Sequence, residues 1–281
     1  MKYITLIESF YPSLTKSEKK VADYIIDQKD QVLYQSLSDM ANHIQVGEAT
    51  IVRFCYKLGF EGVQDLKFSI SREDDLFKNQ TYDNYIDTIE SNIQKVVHET
   101  KLVLDPQSLT QVIDCLHQCE QVYLFGSGAS GLATLEAESR LLRIGKITKS
   151  VIDSHYQLMH AALCTAKTCV IAISLSGSTI ETVEAAQIAK ENGAKVIVLT
   201  NYIQSPFAKI ADLILLTAGK ENPLDGGSLV AKISQLYVID LICTGYALKQ
   251  KKKAQNAKEL TARATLGRVV SPIKRNKKDD I

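Results

Sequence analysis

The spacing of apolar residues divides the chain into two parts. Residues 14–72 follow a helical period, with Val21, Ile25 and Ile26 on one apolar face. Beyond residue 120, short apolar runs alternate with segments of helical period. Five of these runs are predicted as strands, at residues 121–126, 147–152, 168–174, 195–200 and 212–217. Alternating strands and helices predict βαβ units and a mostly parallel sheet that helices cover on both faces.

Two short helices in the first part are separated by a very short turn. They are predicted at residues 37–44 and 49–58, with the turn at 45–47. A three-residue turn that contains a glycine is the connection that sets the helices of a helix-turn-helix at a steep angle. The core face of the second helix carries Ile51, Phe54, Cys55 and Leu58. Its outward face carries Ala49, Val52, Arg53, Tyr56 and, at the edge, Lys57.

The segment between the two parts is charged and polar at residues 71–83, which predicts a linker. A helical period resumes at 85–104, and this segment is predicted as a connecting or dimer-facing helix. Another helix is predicted at 226–248. The predicted units are an all-α domain at 1–77, a linker with its connecting helix at 78–107, an α/β domain at 108–248 and a basic tail at 249–281.

Two hydroxyl-rich loops follow predicted strands and open predicted helices. The first is Gly126-Ser127-Gly128-Ala129-Ser130-Gly131, and the second is Ser174-Leu175-Ser176-Gly177-Ser178-Thr179. Backbone amides at a helix N-terminus point outward and favour an anion. Hydroxyl and amide donors without an adjacent cation suit a phosphate monoester on a polar small molecule. The pattern therefore predicts a site for a phosphorylated sugar.

The first loop also fits the pattern Gly-x-Gly-x-x-Gly of dinucleotide-binding folds. Asp153 stands about 20 residues further on, where such a fold places the acid that binds a ribose. A second hydroxyl-rich loop at the end of another strand favours a small phosphate pocket over a dinucleotide site. A purely structural turn is the third alternative.

Composition narrows the class of protein. Apolar residues make up 45% of the 281 residues, which supports substantial cores in two domains. Six cysteines occur without a Cys-x-x-Cys pair or a nearby set of histidine ligands, so neither a metal nor another cofactor is expected. Because no signal peptide and no long apolar run is evident, we expect a cytoplasmic protein that does not enter a membrane.

The charge of the chain is unevenly distributed. The net charge is only +1, yet residues 249–281 hold eleven basic and three acidic side chains. Such a tail either meets nucleic acid or stays solvated, and the few large apolar residues in it favour the second role. The tail is therefore predicted to be a dispensable, largely solvated extension.

The motifs of both parts together resemble a known family. Those of the first part are Leu37-Ser-Asp-Met-Ala41, Ala49-Thr-Ile-Val-Arg-Phe54, Lys57-Leu-Gly-Phe-Glu-Gly62 and Leu66-Lys67. They resemble the amino-terminal helix-turn-helix domain of RpiR-type bacterial transcription regulators. Residues 122–130 and 171–181, which hold the two loops, resemble the sugar isomerase (SIS) domain, a flavodoxin-like module that binds phosphosugars. The resemblance covers about residues 3–248 in the family's domain order.

This resemblance implies an all-α helix-turn-helix domain followed by an α/β flavodoxin-like parallel sheet, the SIS domain. It implies a DNA-binding transcriptional regulator of sugar metabolism genes that senses a phosphorylated sugar. The implied effector-binding residues are Ser127, Ser130, Ser174, Ser176 and Thr179. The expected contacts to operator DNA are Ala49, Thr50, Arg53, Tyr56 and Lys57. Helix capping by the hydroxyls and a solvated helix face for Arg53 and Lys57 are the alternative roles.

Three positions depart from the family's pattern. Gly47 stands where relatives commonly have serine, so the recognition helix lacks a side-chain N-cap and a hydroxyl for a DNA phosphate. Thr168 stands where many relatives have aspartate, and Lys232 stands where relatives often have arginine. We expect the first difference to affect DNA affinity and the other two to affect pocket selectivity.

The rival class is an enzyme, a sugar-phosphate isomerase or lyase that uses the same pocket with a base beside a carbonyl. The candidate bases are Glu136, Glu138, Glu181, His155 and His160. A carboxylate in a first helical turn or a histidine on an amphipathic helix also has ordinary structural roles. Because a fused DNA-reading domain has no purpose in a plain isomerase, no catalytic residue is expected.

The expected mechanism is ligand-linked DNA binding. A sugar phosphate orders or repositions an α/β dimer, and the helix at 85–104 passes the change to paired helix-turn-helix domains. At least a dimer is expected, because one recognition helix covers little DNA and paired half-sites match a two-fold axis.

Overall fold

Helices alone build the first part of the chain in the computed structural model, which describes residues 3–73, 84–219 and 228–266. The six helices are α1 (Tyr3–Phe10), α2 (Lys16–Asp27), α3 (Lys29–Tyr34), α4 (Leu37–Ile44), α5 (Glu48–Lys57) and α6 (Val63–Glu73). A 3-10 turn at Tyr11–Ser13 joins α1 to α2. Their apolar faces form one core that includes Ile7, Val21, Met40 and Phe54.

Local signals in the sequence fix where these helices begin and end. Thr15 and Glu18 form a capping box at the start of α2, and Ser36 and Asp39 do the same for α4. Gln45 takes the left-handed conformation, with φ of 59°, and ends α4. The helix-turn-helix predicted from the sequence is confirmed, and α5 starts and ends one residue earlier than predicted.

The predicted linker at 71–83 is partly wrong. Residues 71–73 belong to the last turn of α6, because Ser71 is buried in the helical domain, and residues 74–83 lie outside the described ranges. Helix α7 (Tyr85–Val103) confirms the predicted helix at 85–104, and α8 (Pro106–Gln118) follows it. The C-terminal half of α7 buries Val96 and Thr100 against the second domain, so this half is part of that domain's core.

Five parallel strands form the sheet of the second part. They are β1 (Gln121–Phe125), β2 (Lys149–Val151), β3 (Thr168–Ile173), β4 (Lys195–Thr200) and β5 (Leu213–Leu216), in the order β2-β1-β3-β4-β5. The covering helices are α9 (Gly128–Arg143), α10 (Ser154–Ala162), α11 (Ile180–Glu191), α12 (Pro206–Ile210) and α13 (Leu229–Lys249). The predicted parallel flavodoxin-like sheet is confirmed, although β2 is shorter than predicted.

Each face of the sheet has its own core. Leu124, Ile171 and Ile197 pack on one face with residues of α8, α9 and α13. Val170 and Phe207 belong to the core on the other face, with residues of α10 and α11. Helix α13 is long and apolar enough to cross a membrane by length and composition alone, but eight of its residues are buried in the domain. Its hydropathy therefore reflects its place in the core.

The basic tail contains a helix that the sequence analysis missed. Helix α14 (Lys251–Leu266) packs against α9 and α13, and Ala254 joins their core. Ala257 lies so close to Gly145 that a Cβ on this glycine would come within 3.0 Å of the Ala257 Cβ. The other side of α14 is exposed, as the lysines require. The face of α14 that packs on the domain carries small residues such as Ala254 and Ala257. Their apolar periodicity is too weak to predict this contact from the sequence.

Truncation after Gln250 is expected to lower the melting temperature by at least about 4 °C, because it uncovers the surface of α9 and α13 beneath Ala254. Truncation after Leu266 is the control and is expected to leave the melting temperature unchanged. Differential scanning calorimetry of both proteins gives the comparison. Equal melting temperatures for the two truncations would support the dispensable tail that the sequence predicted.

Candidate functional site

The two hydroxyl-rich loops meet at one edge of the sheet. Strands β1 and β3 are parallel neighbours in register, with Phe125 opposite Ala172, so the loops after them leave the sheet side by side. The Oγ of Ser127 in the first loop lies 3.4 Å from the Oγ1 of Thr182, in the helix that follows the second loop. The predicted convergence of the loops is confirmed as geometry, and it creates one polar patch at the carboxyl ends of the strands.

The first loop is held tightly against its surroundings. A Cβ on Gly126 would lie 3.0 Å from the carbonyl oxygen of Ser130, so only glycine lets α9 begin this close to β1. The buried Gln157 side chain donates hydrogen bonds from Nε2 to the carbonyl oxygens of Gly126, at 3.2 Å, and Val151, at 2.9 Å. The Ser130 hydroxyl accepts a hydrogen bond from Gln235 Nε2 at 3.0 Å.

The second loop turns back on itself around a glycine. Gly177 has φ of +62°, and a Cβ there would lie 2.3 Å from the Ser205 hydroxyl. The Ser176 hydroxyl accepts a hydrogen bond from the backbone N–H of Ser178 at 3.2 Å. The hydroxyls of Ser174 and Thr179 lie 3.0 Å apart, and Ser174 is buried, so this pair closes the base of the loop.

The hydroxyls at the two helix starts do not serve as caps. Ser127 is the N-cap residue of α9 and Thr179 is that of α11, yet neither side chain accepts a hydrogen bond from its helix. The first-turn amides of both helices therefore receive no side-chain oxygen from the residue that usually provides one. First-turn amides without a side-chain cap, beside the hydroxyls of both loops at one sheet edge, form an arrangement suited to an anion.

Asp153 does not play the part that a dinucleotide site would give it. Its Oδ1 accepts a hydrogen bond from the backbone N–H of Tyr156 at 3.0 Å and caps α10. An ordinary helix cap explains this carboxylate.

The candidate bases of an enzyme do not form a cluster. Glu136 pairs with Arg140 at 2.7 Å, and the His160 ring packs on Tyr123 with a centroid distance of 4.6 Å. His155 and Glu181 are exposed, and Glu138 is half-buried on α9. Only Glu181, in the first turn of α11, lies directly beside a hydroxyl-rich loop.

The outward face of α5 carries the residues predicted to read DNA. Ala49, Arg53 and Tyr56 are exposed, with 59% of the Tyr56 side chain accessible, and Thr50 is half-buried. The Lys57 ammonium donates to the carbonyl oxygen of Ser13 at 2.8 Å and pairs with Glu18 at 3.1 Å. Lys57 is therefore tied to its own domain, whereas Arg53 points outward.

Three buried polar residues around the loops were missed by the sequence analysis. Gln157 and Gln235 hold the first loop, and Thr182 links it to α11. Each one is buried at a helix position that faces the core, where a polar group needs a hydrogen-bond partner, and the sequence alone did not reveal this burial.

One large cavity lies away from this patch. A cavity of about 880 Å³ between α9, α13 and α14 contains none of the predicted effector residues. Within residues 3–73, 84–219 and 228–266, no group of His, Cys, Asp and Glu is arranged to hold a metal ion.

Comparison with protein families assigns both parts of the chain. Residues 1–75 match the helix-turn-helix domain of the rpiR family, and residues 115–245 match the SIS domain. An uncharacterized HTH-type transcriptional regulator of Haemophilus influenzae is 39% identical over 256 residues, which cover 86% of this chain and 88% of the relative. The regulator HexR of Pseudomonas aeruginosa is 30% identical over 253 residues, which cover 87% of this chain and 88% of HexR.

A solved structure is similar over nearly the whole chain. The Vibrio vulnificus NanR protein, complexed with ManNAc-6P, superposes with a TM-score of 0.87 and 27% identity. The superposition covers 95% of this chain and 99% of the NanR chain. Because it spans both domains, the two chains share the placement of one domain relative to the other.

Proposed function

Because this chain belongs to the rpiR family of helix-turn-helix transcriptional regulators with a SIS domain, we propose that a phosphorylated sugar controls its binding to operator DNA. The sugar phosphate binds at the two hydroxyl-rich loops, and α5 reads the DNA. The observation that carries this proposal is the superposition on NanR, a relative complexed with a sugar phosphate, across both domains at once.

The geometry of the loops supports a phosphate as the recognised group. The hydroxyls of Ser127, Ser130, Ser174, Ser176 and Thr179 surround two helix starts at one sheet edge. A phosphate dianion accepts hydrogen bonds from hydroxyls and from helix N-terminal amides at the same time. We propose these five residues as the effector-binding set.

We further propose that the protein acts as a dimer in the cytoplasm. Ile86 and Ile89 stand exposed on α7, and Leu132, Leu135 and Leu142 stand exposed on one face of α9. Apolar surface of this kind suits contact with a second copy of the chain. Two recognition helices in one dimer would then meet two half-sites of an operator.

The first experiment identifies the sugar. A thermal-shift screen tests the full chain with sugar phosphates, among them ManNAc-6P and glucose 6-phosphate, and with the same sugars without phosphate. We expect at least one sugar phosphate to raise the melting temperature and its unphosphorylated counterpart to have no effect. Stabilisation by the free sugar alone would contradict a phosphate-directed site.

The protein is expected to bind its sugar phosphate without converting it. The reason is that Glu136 is paired with Arg140, that the His160 ring packs on Tyr123, and that the five candidates form no cluster around the loops. Overnight incubation followed by proton and phosphorus NMR checks for new sugar species. Conversion that the substitution Glu181→Gln abolishes would establish an enzyme that uses this carboxylate as its base.

A further inference from the structure

A cavity of about 560 Å³ lies between the helix-turn-helix domain and the SIS domain. The second hydroxyl-rich loop forms part of its wall through Ser176 and Ser178. Across the cavity, the wall comes from the helix-turn-helix domain and includes Lys67 of α6. Beside it the Tyr202 hydroxyl donates a hydrogen bond to the Tyr34 carbonyl oxygen, which joins the two domains directly. The loop proposed to hold the phosphate therefore faces the DNA-binding domain.

Lys67 is an unusual residue for the wall of a protein cavity. Only 5% of its surface is exposed, and the one hydrogen bond of its ammonium among the described residues runs to the Gln35 carbonyl oxygen. An ammonium carries three donors, so this bond leaves capacity for further acceptors. A buried cation without a paired carboxylate is costly, and an anion placed beside it would offset that cost.

The carboxylates near Lys67 accept hydrogen bonds from other residues. Burial lowers the pKa of Lys67 to about 8, and the negative charge of Asp39 opposes this shift only in part. The Asp39 carboxylate is engaged at the start of α4, where it accepts hydrogen bonds from Ser36. Glu48, the acidic residue that lines the cavity, accepts a hydrogen bond from the Ser38 hydroxyl at 2.6 Å.

The second loop, in turn, has no charged hydrogen-bond donor of its own. Within the described ranges, no lysine or arginine side chain donates a hydrogen bond to residues 174–179. Its donors are neutral hydroxyls and amides, whereas recognition of a phosphate dianion gains most from a charged donor. Lys67 lines the same cavity as Ser176 and Ser178 of this loop.

We propose that Lys67 of the helix-turn-helix domain completes the phosphate site of the SIS domain, so that the bound effector bridges the two domains. This inference rests on the proposed function and adds a residue from the other domain to its site. Val52 and Tyr56, on the outward face of α5, line the same cavity. An anion held there fixes the position of the recognition helix relative to the SIS domain. The effector-bound and effector-free proteins therefore differ in their affinity for DNA.

The substitution Lys67→Met in the full chain tests this bridge. Calorimetric titration uses inorganic phosphate and ManNAc-6P, with the best sugar phosphate of the screen added if ManNAc-6P does not bind. The loss of a charge-assisted contact is expected to weaken binding at least about tenfold. The matched control is Lys190→Met at the far end of α11. The Lys190 ammonium donates a hydrogen bond to the Ile210 carbonyl oxygen at 2.7 Å. The Lys190→Met protein should bind the sugar phosphate with wild-type affinity.

If the Lys67→Met protein is folded by circular dichroism and binds the sugar phosphate with wild-type affinity, the proposed role of Lys67 is wrong. The proposed function would be unaffected by that result. If no sugar phosphate binds even the wild-type protein, both the role of Lys67 and the proposed function are wrong. If the Lys67→Met protein does not fold, the wild type alone still decides the question, because Lys67 should change its protonation when the phosphate binds.

Titration of the wild type at pH 8.5 provides this second readout. Near this pH, Lys67 is largely neutral in the free protein, because its pKa is about 8. A bound phosphate dianion favours the charged ammonium. Binding is therefore expected to take up a proton. The acidic residues near Lys67 are Asp39, whose charge acts on it, and Glu48, which lines the same cavity. Affinity should therefore fall as the pH rises above 8, and the binding enthalpy at pH 8.5 should depend on the ionisation enthalpy of the buffer. An affinity that stays constant from pH 7 to about pH 10, together with an enthalpy that is independent of the buffer, would exclude Lys67 from the site.

Discussion

The substitution Arg53→Ala is expected to weaken binding to the specific operator by about 1–3 kcal/mol, which corresponds to a factor of roughly 5 to 150. Arg53 is exposed on the outward face of α5, where a guanidinium can reach a guanine edge with two hydrogen bonds. The melting temperature should stay nearly unchanged, because the side chain leaves no cavity in the core. Fluorescence anisotropy, with an operator selected from a random-sequence library, measures the affinity.

A base contact and a phosphate contact give different results in this experiment. If Arg53 reads a base, the affinity falls for the operator and hardly at all for unrelated DNA; if it holds a phosphate, both affinities fall alike. Arg72→Ala is the control, since Arg72 is exposed in the last turn of α6 and outside the recognition helix. Wild-type affinity in Arg53→Ala would remove Arg53 from the recognition surface.

Replacing both Ser176 and Thr179 by alanine is expected to weaken effector binding at least about tenfold. Each hydroxyl that donates to a charged group contributes about 1.5–3 kcal/mol at best, and water replaces part of that. Ser176 is exposed at the tip of the second loop, and Thr179 stands at the N-cap of α11 without capping it. Operator binding without the effector should survive, because the recognition helix lies in the other domain.

The control for the double variant is Ser139→Ala, which removes an exposed hydroxyl from α9 away from the loops. Calorimetry with the sugar phosphate and an operator titration of each protein separate the two functions. Should the double variant retain full effector affinity, the phosphate binds elsewhere and the proposed pocket is wrong. Should it lose operator binding as well, the loop supports the fold rather than the ligand.

The sequence was sufficient for elements whose signals are local. The turn at 45–47 follows from one glycine and two flanking helical periods, and the strands follow from short apolar runs between helices. The meeting of the two loops was also predictable, because parallel strands place their carboxyl ends at one edge. Each of these conclusions depends on the spacing of residues along the chain. None of them requires knowledge of contacts between residues that are distant in the sequence.

Features that depend on distant neighbours were missed. Helix α14 contacts the protein through alanines, which give almost no apolar period, and its lysines indicated solvent. Gln157 looked like an ordinary polar helix residue until its amide was found on the carbonyls of Gly126 and Val151. Lys67 belonged to a recognised motif, but nothing in the sequence places it in one cavity with Ser176, because the two residues belong to different domains.

We propose that the sugar phosphate and the operator influence each other's binding through one chain. The most direct measurement titrates the operator into the wild-type protein, first alone and then with a saturating concentration of the sugar phosphate found in the screen. The operator affinity is expected to change at least about fivefold, and the effector affinity should change by the same factor when the operator is bound. Equal operator affinity with and without a sugar phosphate that demonstrably binds would contradict it.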